Sequence, residues 1–201
     1  NFRYDFNDKL YFSNSYSENN AHYVYRYKPQ NGAVNKDAIF TVQTNLSQLH
    51  YDDQSFKAIL SYTNTDQNNF TKARNKSGST YLDTIKTISN AGYNDRTYGL
   101  DLQKNWKLEN DVAIFGVNVQ RDTCDYSEDS LTVATNKYTS ASRDYSRNMY
   151  SAYGQYNHAL NKASNLIFSA RETWTGSTKA EDIAGSNYSK FTPELEYINR
   201  L

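Results

Sequence analysis

The chain has 201 residues, 22 acidic and 22 basic, and so no net charge, which offers no basic field to a phosphate backbone and sets nucleic acid aside as a partner. Hydrophobic residues make up 37%, below the roughly 45–50% of ordinary globular domains. Much of that share is 19 tyrosines, and 15% of the chain is aromatic, too ring-rich for a solvating tail.

The longest apolar run, Val112-Ala113-Ile114-Phe115-Gly116-Val117, falls far short of the roughly 20 residues a spanning helix needs. A helical membrane protein is therefore excluded. Asn1 is not followed by a charged-then-apolar export segment, which implies that a signal has been removed or that the chain is an internal piece. Cys124 is alone, which rules out an internal disulfide framework and a cysteine-based zinc site.

Period-two alternation predicts strands near 1–7, 9–17, 37–50, 55–67, 94–107, 111–125, 145–160, 164–176 and 189–200, and no stretch gives a comparable helical pattern. The connections alternate in kind. Phe6-Asn7-Asp8-Lys9, Tyr51-Asp52-Asp53-Gln54, Leu108-Glu109-Asn110-Asp111 and Asn161-Lys162-Ala163 are short turns, whereas 18–36, 68–93, 126–144 and 177–188 are long polar excursions expected as loops. In an up-and-down meander all four short turns then lie at one end of the sheet. The predicted hairpins pair 1–7 with 9–17, 37–50 with 55–67, 94–107 with 111–125, and 145–160 with 164–176. Asn7-Asp8, Asp52-Asp53, Asn110-Asp111 and Asn161-Lys162 are suited to such turns, since their side chains bond the local backbone and tolerate left-handed dihedrals.

The two faces differ in chemistry. Tyr98, Leu100, Leu102 and Trp106 alternate with Gly99, Asp101, Gln103 and Asn105, and Phe56, Ala58, Leu60 and Tyr62 alternate with Lys57, Ser61 and Thr63. Tyr150, Tyr156, Leu166 and Phe168 continue the apolar set. Apolar-out and polar-in strands, short turns at one end and long connections at the other are the signature of an outer-membrane β-barrel, whose strands need about 9–11 residues to span. Trp106 and Trp174, near strand ends, suit the interfacial aromatic girdles. The fold class expected is all-β, an antiparallel up-and-down meander forming part of a transmembrane β-barrel. The alternative is a soluble or surface-attached β domain that binds glycan or protein through exposed tyrosines, because alternation alone does not identify the solvent on the apolar side.

"MYSAYGQYNHALNKASNLIFSARETW" followed by "FTPELEYINRL" resembles the barrel strands of TonB-dependent outer-membrane receptors. "RTYGLDLQKNW" with "DVAIFGVNVQRD" resembles an earlier hairpin of the same kind, and "YDFNDKLYFSNSYS" the first hairpins after the plug. The similarity covers most of the chain through short, degenerate motifs. It implies energy-dependent uptake of a scarce nutrient such as an iron chelate carried by a siderophore, haem or cobalamin. The implied partners are outer-membrane lipid, a small-molecule ligand, and TonB acting through a plug domain that is not in this chain. No TonB box is recognisable and the terminal aromatic strand is missing, so residues 1–201 are expected to be one barrel segment of about nine strands, against 22 in the full transporter.

Tyr23, Tyr25, Tyr27, Phe70, Tyr81, Tyr93, Tyr126 and Tyr138 in the polar excursions are candidates for a ligand-catching rim, or else they pack the loops on one another. Asp122, Asp125, Glu128 and Asp129 could offer oxygens to calcium, though a solvated acidic loop explains them more simply. His22, His50 and His158 are scattered. With no nucleophile–base order, phosphate loop or paired-carboxylate spacing, no enzyme, metal site or cofactor is expected.

Overall fold

The computed structural model describes residues 1–26, 34–78, 80–176 and 187–199. Nine strands form one antiparallel sheet in sequence order: β1 (Phe2–Asp5), β2 (Leu10–Arg26), β3 (Val34–Asp52), β4 (Phe56–Ser77), β5 (Thr80–Leu108), β6 (Asp111–Thr132), β7 (Lys137–Ala159), β8 (Ser164–Thr175) and β9 (Tyr188–Asn199). A single 3-10 turn, Val133–Thr135, is the only helical element among the described residues. The four expected hairpins pair as read from the sequence.

The turn chemistry explains the sharp ends. Asn7 Oδ1 accepts from the backbone N–H of Lys9 and Leu10, both at 2.9 Å. Asp53 Oδ1 accepts from the N–H of Phe56 at 2.7 Å and of Ser55 at 3.1 Å. Asn161 Oδ1 accepts from the Ala163 N–H at 2.8 Å. Such bonds give the backbone partners where the ladder stops. The left-handed positions, however, fall on Gln54 (φ 73°) and Glu109 (φ 40°) rather than on the Asn and Asp residues.

The long excursions require a correction, because they are largely strand. Residues 18–26 continue β2, 68–77 and 80–93 extend β4 and β5 into the longest hairpin of the sheet, and 126–132 with 137–144 extend β6 and β7. Positions 27–33 and 177–186 lie outside the described residues. In these stretches apolar residues such as Phe70, Leu82, Ile85, Ile88 and Leu131 are too scattered to mark one face, so apolar periodicity vanishes while the ladder continues. Cross-strand hydroxyl contacts help hold it there, such as Thr71 Oγ1 with Ser89 Oγ at 2.6 Å.

Register sorts the side chains into rows. Phe12, Leu49, Leu60, Leu100, Val119, Tyr150 and Trp174 are successive cross-strand partners and share one face. Nearer the short turns, Trp106, Ala113, Tyr156, Phe168 and Leu195 form a parallel row on that face. Toward the hairpin tips, Tyr62 and Tyr98 close the belt with rings 5.0 Å apart, and the next rows are Asn45, Asn64, Arg96 and Thr123, then Gln43, Asp66, Asn94 and Asp125. From Trp106 to Tyr98 is about 27 Å along the strand at about 3.4 Å per residue, or about 21 Å along the axis of a barrel tilted by about 40°. That approaches the roughly 25 Å apolar band of outer-membrane barrels.

Among the described residues nothing packs on this belt. Among the described residues Ala38 is the only buried hydrophobic, while Leu60, Phe115, Trp106 and Trp174 are each 44% exposed or more. Three charges interrupt the belt, one of them Arg121 beside Tyr98 in its border row. Lys104 reaches Ser55 Oγ near the turn end at 3.3 Å, as a snorkelling lysine does, and Glu172 stands between Ala152 and Phe191 in the row that also holds Leu102 and Val117.

Candidate functional site

The opposite face is mainly polar, with Leu46, Ile59, Ile114 and Ile167 set among its polar residues. Near the turns, Gln103, Gly116, Tyr153 and Arg171 are cross-strand partners. Tyr153 lies across Gly116 so closely that a Cβ there would come within 2.1 Å of the ring. Its hydroxyl thereby reaches over β6 to Gln103 Oε1 at 3.3 Å, and Arg171 sits 5.9 Å from its ring centroid while donating to Ser151 Oγ at 3.1 Å. Sequence reading missed this arrangement, although an isolated glycine inside an apolar strand is a signal of close approach.

Further along the same face is the most elaborate polar cluster. Arg147 on β7 donates from Nη2 and Nε to Asp122 Oδ2 at 2.7 and 3.1 Å, while Thr97 Oγ1 (3.0 Å) and Gln120 Nε2 (2.8 Å) donate to Asp122 Oδ1. These groups, with Asp95, Cys124 and Tyr145, line an open cavity of about 440 Å³. The next two rows toward the tips are Gln67, Tyr93, Tyr126 and Arg143, then Asn69, Ala91, Glu128 and Ala141. Tyr93 and Tyr126 have ring centroids 4.9 Å apart at 41°. Tyr126 donates to Glu128 Oε2 at 2.6 Å, and that bond is the main reason its hydroxyl is pushed up to about 12 and stays a donor. A side-chain oxygen of Asn69 is buried without a hydrogen-bond partner.

The structure divides the eight rim candidates. Tyr93 and Tyr126 meet, and Tyr23 shares their face nearer the tip of β2, opposite Ala38. Phe70 and Tyr138 lie on the other face, Phe70 under Lys72 Nζ at 5.5 Å and Tyr138 62% exposed. Tyr25 pairs with Lys36 and Tyr81 with Lys76 in the ladder, and Tyr27 lies outside the described residues. The acidic group is split as well. Asp122 and Glu128 face the cavity side, whereas Asp125, bound to Arg96 at 2.8 Å, and Asp129 face away. Four carboxylates divided between two faces cannot converge on one ion.

A separate cluster ties two short turns together. Asp111 accepts from the Tyr156 hydroxyl, from the Ala159 N–H at 3.0 Å, and contacts His158 Nδ1 at 3.1 Å. These bonds, led by that of Tyr156, hold its carboxyl down at about 2. His50 by contrast stacks on Tyr11 at 4.4 Å on the polar face.

No family model matches the chain, and no curated protein does. Among solved structures, the copper transporter OprC matches 99% of this chain with a TM-score of 0.65 at 14% identity. The shared fold is part of a transmembrane β-barrel. This chain spans 33% of the length of that transporter.

Proposed function

We propose that this chain forms part of the wall of an outer-membrane transport barrel, with its polar face lining a solute path and the extended hairpins framing the external entrance. One observation carries this reading: a single sheet exposes an apolar belt about 21 Å tall, bordered by aromatic rows, with no second layer among the described residues to cover it. A soluble domain that kept so large an apolar face in water would aggregate, so the soluble tyrosine-binding alternative is the weaker reading. The likeness to a copper transporter supports transport as the role. The resemblance of the strand motifs supports coupling to TonB through a plug domain, with a scarce nutrient as cargo: an iron chelate, haem, cobalamin or another transition-metal species.

The belt provides its own reporters, since Trp106 and Trp174 lie at opposite borders of the apolar face and are 44% and 45% exposed. In bilayers containing lipids brominated at different depths, the full chain is expected to show both tryptophans quenched more by shallow than by deep bromines. A chain whose tryptophans escape every brominated lipid would refute the membrane reading.

A further inference from the structure

We propose that the polar cluster beyond the belt is a binding site for a neutral oligosaccharide or a ligand that carries one; this rests on the transport reading and specifies its cargo. A pyranose offers an apolar C–H face and a rim of hydroxyls that both donate and accept, so its site needs a ring platform flanked by both kinds of group. Tyr93 and Tyr126 supply the platform, as adjacent rings on one face with Tyr93 41% exposed. Gln67 and Arg143, in the same row, supply donors, and Glu128, one row away, supplies an acceptor. Ala91, between Asn69 and Glu128, leaves that row open.

The 440 Å³ cavity adjoins this platform on the same face, and its size is ordinary for a small-ligand site. Four strands about 4.8 Å apart make the row from Gln67 to Arg143 about 14 Å wide, room for more than one sugar ring. Charge argues against an anionic ligand. Arg147 and Asp122 satisfy each other at 2.7 Å, and Asp95 leaves the lining with one net negative charge, which disfavours carboxylate- or phosphate-bearing cargo and leaves hydroxyl-rich neutral groups the better match.

The test is calorimetric titration of the full chain in detergent micelles with maltopentaose, cellopentaose and chitopentaose, and with cyanocobalamin and haemin as cargo of other classes. Binding of at least one oligosaccharide is expected, weakened roughly tenfold by Tyr93→Ala and by Tyr126→Ala, largely kept by Tyr126→Phe, and unchanged by Tyr138→Ala on the opposite face. Circular dichroism on each variant separates loss of the ring from loss of the sheet. No heat with any oligosaccharide, or equal loss in Tyr138→Ala, overturns the assignment. If haemin or cyanocobalamin binds instead, the saccharide inference fails while the transport reading stands, and tryptophans that brominated lipids do not reach would remove the transport reading itself.

Discussion

Asp111 shows how much a turn residue can contribute beyond its own turn. Its carboxyl, held at about 2 chiefly by the Tyr156 hydroxyl, joins the start of β6 to the end of β7, two points far apart in sequence. Because the folded value lies below the ordinary carboxylate value of about 3.9, its contribution is present above that value and is lost as pH falls from about 4 to about 2. Tyr156→Phe is expected to move the Asp111 titration, followed by carbon-detected NMR, upward toward the ordinary value and to speed exchange of the Ala159 amide. An unchanged midpoint would show that Tyr156 is not the cause. Gly116 is the second decisive residue, since a side chain there collides with the Tyr153 ring. Gly116→Val is expected to cost about 1–3 kcal/mol, the usual penalty of overpacking, and Tyr153→Ala in the same background is expected to recover part of it. Equal denaturation midpoints for wild type and Gly116→Val would disprove the contact.

At the scale of elements, the sequence was legible where the solvent differs between the two faces and opaque where it does not. Leu100 and Leu102 alternating with Gly99 and Asp101 announce a strand, because burial selects one parity. Thr80 to Tyr93 announces nothing by that test, yet it is the outer half of β5, paired with β4 up to Ser77 and Thr80. Neither parity is apolar throughout that stretch, and the strand is sustained by threonines, isoleucines and ladder bonds. The site was half legible for the same reason. Tyr93 and Tyr126 were visible as aromatics, but their pairing with each other, and the separation of Tyr138 to the opposite face, follow from a register that only the full strand lengths establish. The outer hairpin depends on Gly78, whose φ of 58° lies in the left-handed region. Gly78→Val is expected to destabilise that hairpin by about 1–2 kcal/mol, seen as faster amide exchange between Arg74 and Ile85 with the belt unaffected. Uniform exchange across β5 would contradict this independence of the outer hairpin.

Taken whole, the molecule has a wall in place of a core, with every strand bonded only to its neighbours in sequence. The meander itself has a kinetic meaning. At Gly78 the first ladder contact, Ser77 with Thr80, closes almost no loop, and each further pair down to Phe56 with Lys104 closes a loop already shortened by the one before it. The chain-entropy cost is therefore met in small instalments rather than in one long closure. Pairing in this hairpin is therefore cheapest when it starts at Gly78 and runs toward Phe56 and Lys104, the polar outer half closing before the apolar half.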